Sequence, residues 1–390
     1  MAVRFLAYEV SDLCIGKPPL KPLPLSATIG EALVCLKRCG ESYLSVWTEG
    51  SKAASPNSPE RRTCVGKVCM VDIICYLCSE ENLKRSSSVA LSSPVSVLLP
   101  KESGSLVRHV ERHSSLLEAL DLILEGAQNL VVPIRSVGRK KLHSYAADFC
   151  CLVQEDFVRF FLNSIGAFSQ VSSLSVESLG IIRRDVLAVR YHEPALSALP
   201  LIKEALMYQT AVAVVTDDGK LVGEISPSTL ASCDETVVAA IATLSAGELM
   251  AFVDCGGPPE EAVRTVKARL RKRGMEGMLE LIEEEASLSS SASDTSLSTL
   301  SSGSSSSDEE STTPARTRRL EKHGGSGSYS VRMGRSLEEA IVSHPGSSLV
   351  AVLIQALAHR VNYVWVVEDD FELAGLVTLT DVLKIFRDPL

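Results

Sequence analysis

Near the end of the chain, the apolar run Val364, Trp365, Val366, Val367 is followed by Glu368, Asp369 and Asp370. Next comes a stretch from Gly375 to Asp381 that leads into Val382, Leu383, Ile385 and Phe386 at helical spacing. Short apolar runs bounded by turn residues predict strands, and the i, i+3, i+4 spacing predicts an amphipathic helix. Leu349, Val352, Leu353, Ala356 and Leu357 predict another helix upstream. The unit reads helix, strand, strand, helix, with Gly-x-x-Thr-x-x-Asp on its last joint. Thr380 or Asp381 would cap the final helix, whose N-terminus presents unpaired N–H groups and about half a positive charge, so an anion has a place to dock.

The pattern recurs three more times. In copy 1, Ser26 and Thr28 precede a helix of Ile29, Ala32, Leu33 and Leu36, Tyr43 to Trp47 reads as a strand, and Gly66, Cys69 and Asp72 take the three motif positions. In copy 2, Leu116, Leu117, Leu120 and Ile123 form the helix, Asn129 to Ile134 the strand, and Cys150, Val153 and Asp156 the motif. Copy 3 has Ala195, Leu196, Leu199, Ile202 and Leu206 on a helix that Pro200 should kink or shorten. Its strand runs from Ala211 to Val215 and its hairpin turn is Asp217, Asp218, Gly219; Gly223 and Ser226 match the motif, with Thr229 in place of the acid. Copies 1 and 2 keep the acid and lose the hydroxyl, copy 3 keeps the hydroxyl and loses the acid, and the last copy keeps both.

These spacings place the copies at residues 10–85, 104–166, 184–233 and 335–390. Polar insertions at 49–63 and 135–144 interrupt two hairpins. Between copies 3 and 4 lies a partly helical insertion, 234–286, and then a serine-rich linker, 287–334. The linker cannot bury enough apolar area to offset its ordering entropy and is expected to be disordered. Ser305, Ser306 and Ser307 each stand three positions before an acid, the pattern that acidophilic kinases favour. Each phosphate would add about −1.5 to −2 charge close to Arg316, Arg318, Arg319 and Lys322.

A helix–strand–strand–helix unit with this motif resembles a cystathionine-β-synthase (CBS) domain. With HRVNYVWVVEDD and VSDLCIGKPPL, the whole arrangement resembles the larger, four-copy members of the plant CBSX-type proteins. The resemblance implies an α/β (α+β) fold of four repeats in two tandem (Bateman-type) modules, copies 1 with 2 and 3 with 4. It also implies that the motif's hydroxyl and acid hold the phosphate and ribose of a nucleotide. The candidate ligand residues are then Gly375, Thr378, Thr380 and Asp381, with Gly66, Asp72, Asp156, Gly223 and Ser226 in second rank; Asp72 and Asp156 also read as plain helix caps. The function implied is that of a non-enzymatic regulator that needs no cofactor. It would bind AMP, ADP, ATP or S-adenosylmethionine and act on a protein partner, thioredoxin-like or a kinase. The alternative is a ligand-free scaffold. Either a monomer whose two tandems close on each other or a homodimer would satisfy the repeat.

Composition narrows this further. At 390 residues and 45% hydrophobic content the chain can bury a sizeable core, yet no apolar run approaches the ~18 residues of a membrane span. A net charge of −9 argues against nucleic acid as the partner, and the N-terminal residues lack the pattern of a targeting peptide, so a cytoplasmic protein is expected. Eleven cysteines then read as reduced, mostly buried thiols. Cys75-x-x-Cys78 falls on an apolar helix with no second pair to complete a zinc site, and is expected in the core. His109 and His113 are expected to be exposed. The basic run Lys267, Arg269, Arg271, Lys272, Arg273 reads as a solvated face paired with nearby acids. No catalytic or metal-binding constellation emerges from the motifs.

Overall fold

A computed structural model describes residues 7–48, 63–100, 106–134, 148–254, 260–280, 282–283 and 340–389. The insertion 135–144, nearly all of 49–63, and the serine-rich linker with Ser305, Ser306 and Ser307 lie outside the described residues.

Each copy builds the same three-stranded sheet, in which a leading strand runs parallel to the central strand and the central strand pairs antiparallel with the third. The strands are β1 (Pro22–Pro24), β2 (Tyr43–Trp47) and β3 (Cys64–Cys69) in copy 1, and β4 (Val107–His109), β5 (Asn129–Ile134) and β6 (Asp148–Leu152) in copy 2. Copy 3 has β7 (Ala188–Arg190), β8 (Val212–Val215) and β9 (Leu221–Ile225); copy 4 has β10 (Val342–Ser343), β11 (Tyr363–Val367) and β12 (Leu373–Thr378). The leading strands are additions to the pattern read from sequence, being too short to show an alternation. Register repeats with the motif: Val46 faces Gly66, Val132 faces Cys150, Val214 faces Gly223 and Val366 faces Gly375. One residue later the ladder slips at Trp47, Val215 and Val367. Such a shared irregularity marks a repeat as firmly as a shared motif does.

The helices follow local chemistry. In α1 (Val10–Leu13) and α2 (Ile29–Cys39) an acid at the third helical position accepts the cap N–H, as Glu31 does from Thr28 at 2.8 Å. The motif helices are α3 (Met70–Leu77), α5 (Gln154–Leu162), α7 (Pro227–Leu230) and α12 (Leu379–Arg387); α4 (Leu116–Leu124), α6 (Leu199–Tyr208) and α11 (Leu349–His359) precede the central strands. Pro200 does not kink α6. It sits in the first turn, behind a 3-10 turn at Ala195–Ala198, where its missing N–H has no helical partner to lose.

Each copy is completed by a segment outside its helix–strand–strand–helix unit, which follows the copy in copies 1 and 3 and crosses over from ahead of the tandem in copies 2 and 4. After copy 3, α8 (Val237–Thr243) is buried along its whole length, and the chain then pairs with the start of copy 3: Ala195 donates to the Leu244 carbonyl at 2.9 Å and Ala246 to that of Glu193 at 2.8 Å. Copy 1 does the same with Ser93 and Val95 (Ile29 to Ser93, 2.9 Å; Val95 to Ala27, 2.8 Å), so the first part of 234–286 is integral to copy 3. Copies 2 and 4 take the equivalent partner from the segment that precedes their tandem. Val10 pairs with Ser114 and Val176 with Ser347, both at 3.0 Å, so Val10, expected to open copy 1, is instead buried in copy 2. Two further helices follow α8: α9 (Ala246–Asp254) and α10 (Glu260–Arg273), the latter tied back by Arg269 to Glu248 at 2.7 and 2.9 Å.

Within each tandem the sheets meet. Trp47 and Cys64 pack on Val107 and Val131, and Glu224 of copy 3 accepts from Tyr363 at 2.8 Å and from Trp365 at 2.6 Å in copy 4. Between tandems the helices meet: one core joins copies 1 and 3, and the other joins copies 2 and 4, where Phe161 packs on Phe386 and Arg387 grips Asp121. The two tandems thus close on each other within one chain. No helix among the described residues is long and apolar enough to cross a membrane.

Candidate functional site

All four joints start a helix in the same way. Cys69, Val153, Ser226 and Thr378 are the N-cap residues, in extended conformation. Where the acid is kept, its carboxylate accepts the cap N–H: Asp72 from Cys69 at 2.7 Å, Asp156 from Val153 at 2.8 Å and Asp381 from Thr378 at 3.3 Å. A charged acceptor in the first turn suits both the unpaired donor and the helix dipole. Thr378 adds a second tie, its hydroxyl donating to Asp381 Oδ2 at 2.6 Å and accepting from the Asp381 N–H at 3.2 Å. In copy 3, Ser226 accepts from the Thr229 N–H at 3.1 Å. Thr378 and Asp381 are 4% and 8% exposed, so copy 4 joins a hydroxyl and a carboxylate in one shielded spot.

The copies differ in what covers the joint. A Cβ on Gly66 would press on Leu99, and one on Gly223 would strike the sulfur of Met250 in α9, so copies 1 and 3 are sealed by apolar side chains. In copy 2, Lys17 reaches Asp156 at 2.6 Å while the Leu20 N–H donates to the Phe149 carbonyl at 2.7 Å. In copy 4, Arg183 grips Asp381 with both forks, Nε to Oδ2 and Nη2 to Oδ1, each at 2.7 Å. The Arg183 backbone also pairs with Leu376 in both directions, at 2.8 and 2.9 Å. Gly375 permits this approach: its φ is +156° and a Cβ there would meet the Arg183 carbonyl oxygen. Lys384 stands 3.8 Å from Asp381, one helical turn on. The Asp381 side chain is 10% exposed and that of Arg183 40%, so from solvent the guanidinium covers the acid.

Other predicted residues fall elsewhere. The Thr380 hydroxyl donates to Gln154 of copy 2 at 2.8 Å, and Gln154 in turn donates to Gln209 of copy 3 at 2.7 Å, which commits Thr380 to the junction between copies. Burial pushes the Asp72 carboxyl above its ordinary value, and no ion pair reaches it among the described residues. Cys75 and Cys78 are buried on α3; burial raises the Cys75 thiol to about 12 and pushes Cys78 up as well, so neither is a ready thiolate. His109 and His113 are exposed, His113 lying 2.7 Å from Glu9. Among the described residues no cluster of three or more His, Cys, Asp or Glu is placed to hold a metal ion. Lys17 and Arg183 escaped the motif search. They do share a signal, because each stands five residues before the leading strand of its tandem, Pro22 or Ala188.

The CBS domain family model matches residues 176–235 and 336–388, the two copies that keep a hydroxyl at the cap. The chain is 44% identical to the CBS domain-containing protein CBSX5 of Arabidopsis thaliana, over 99% of this chain and 98% of that protein. It is 22% identical to the SNF1-related protein kinase regulatory subunit gamma-like PV42b of the same plant, over 99% of this chain and 96% of the relative. Among solved structures, protein MJ1225 of Methanocaldococcus jannaschii, presented as an archaeal homolog of g-AMPK, aligns with a TM-score of 0.53 at 15% identity. That alignment covers 97% of this chain and all of the other, a likeness in fold.

Proposed function

Because the chain belongs to the CBS domain-containing proteins, we propose that it is a non-enzymatic regulator whose copy 4 joint takes an adenosine-type ligand, of the AMP, ADP, ATP or S-adenosylmethionine class, and whose occupancy is read by a protein partner. The observation that carries this is the shielded Thr378–Asp381 pair on a helix N-terminus, a carboxylate able to accept two ribose hydroxyls beside a hydroxyl, at the positive end of a helix dipole that suits a phosphate. The gamma-like regulatory subunit among the relatives favours a protein kinase as the partner over a thioredoxin-like protein.

Calorimetric titration of the full chain with AMP, ADP, ATP and S-adenosylmethionine tests the ligand. At least one should bind, and Asp381→Asn should weaken it about ten- to a hundredfold, the worth of charge-assisted hydrogen bonds lost. Absence of binding by all four overturns the proposal. It would favour a ligand-free scaffold, for which one observation already speaks: Arg183 satisfies both oxygens of Asp381 without any ligand.

A further inference from the structure

Resting on that reading of copy 4, we infer that Arg183 determines the site's specificity, and that it selects an adenosine compound bearing an anionic group over neutral adenosine or cationic S-adenosylmethionine. The carboxylate to which a ribose would bind is already held by a bidentate guanidinium at 2.7 Å on each fork. When two ribose hydroxyls donate to Asp381, they take the acceptors that Arg183 uses. The guanidinium cannot lose its charge, and its planar fork fits two oxygens of a phosphate as well as two of a carboxylate.

The Arg183 backbone remains anchored to Leu376 on β12, so the freed side chain stays at the mouth of the site. Lys384, 3.8 Å from Asp381, adds a second cation to the same mouth. One acid and two cations leave a local excess of positive charge. A phosphate answers it; neutral adenosine leaves Arg183 without an anion, and the sulfonium of S-adenosylmethionine adds to the excess. In copies 1 and 3, where Leu99 and Met250 stand over the joint, no such exchange of partners is built in.

Titration of the full chain with AMP, adenosine and S-adenosylmethionine, for the wild type, Arg183→Met and Arg183→Lys, tests the inference. The wild type should bind AMP at least about tenfold more tightly than adenosine, a preference that shrinks with added salt. Arg183→Met should remove most of the preference, leaving what Lys384 supplies, and tighten adenosine, since the bidentate cation no longer has to leave Asp381. Arg183→Lys should keep part of the preference, and it decides the matter if Arg183→Met does not fold. Equal affinity for AMP and adenosine in the wild type, or an unchanged ratio in both variants, overturns the selection while leaving the adenosine site standing. Absence of binding by these three and by ADP and ATP removes the adenosine site and the selection with it.

Discussion

Copies 1 and 3 close their joints with apolar side chains, Leu99 and Met250, whereas copies 2 and 4 close theirs with cations, Lys17 and Arg183, each set on an acid. Connectivity is the cause. In each tandem the segment after the first copy folds back onto that copy, and the segment before it crosses to the second. An apolar seal offers a polar ligand nothing to exchange, but a cation on an acid can trade one partner for another. Within the second pair the difference narrows to the cap, since copy 2 has Val153 where copy 4 has Thr378.

The contrast should be sharpest at the glycines. Gly375→Ala sets a Cβ against the backbone carbonyl of Arg183 at a φ of +156°, and neither the carbonyl nor the strand pairing behind it can give way cheaply. A loss of about 2–4 kcal/mol in urea unfolding is expected, combining backbone strain and overpacking. Gly223→Ala meets only the flexible end of Met250 and should cost less than about 1.5 kcal/mol. Equal losses would break the comparison.

Next come the acids. Asp381→Asn forfeits the forked pair with Arg183, worth about 1–2 kcal/mol once the exposure of the guanidinium is discounted. Asp72→Asn loses no ion pair and should stay within about 0.5 kcal/mol at neutral pH. Asp72 also makes stability depend on pH. Because burial raises the Asp72 carboxyl above 3.8, the folded chain holds that proton more tightly than the unfolded chain. Its contribution therefore favours the fold at low pH and is lost as pH rises from 3.8 through the raised value. Unfolding of wild type and Asp72→Asn across that range should show the difference falling with pH; a difference that rises would mean the carboxyl is stabilised as an anion.

The smallest effect belongs to copy 2. Lys17→Met breaks a single-point pair whose side chains are 24% and 17% exposed, and should cost less than about 1 kcal/mol in thermal unfolding. The gap from wild type should narrow in 1 M salt. A cost matching that of Asp381→Asn would place the two cations on an equal footing.

Much of this molecule is legible in the amino-acid sequence. Four copies, their central strands and motif helices, and the Thr378–Asp381 spacing all announce themselves along the chain. The cap expected at Thr380 or Asp381 falls instead on Thr378, because the helix starts at Leu379 directly off the strand and turns Thr380 toward Gln154. Buried Cys75 and Cys78 and the exposed histidines follow from apolar patterning in the same way. Less visible were the leading strands, two or three residues long, and the place of α8 in the core of copy 3, since an apolar run shows that it will be buried but not against what.

What the sequence by itself determined was therefore the inventory: repeat, elements, caps and one complete motif, each a matter of neighbours along the chain. What only the tertiary structure decided was which segment lies over which joint. Arg183 and Asp381 are 198 residues apart. They meet because the segment ahead of copy 3 pairs its backbone with β12 of copy 4, and no local pattern records a partner reached by crossing from one copy to the next. The free energy of that crossing is spread over backbone pairs, a glycine contact and two packed cores, so it can be read only where those pieces have come together.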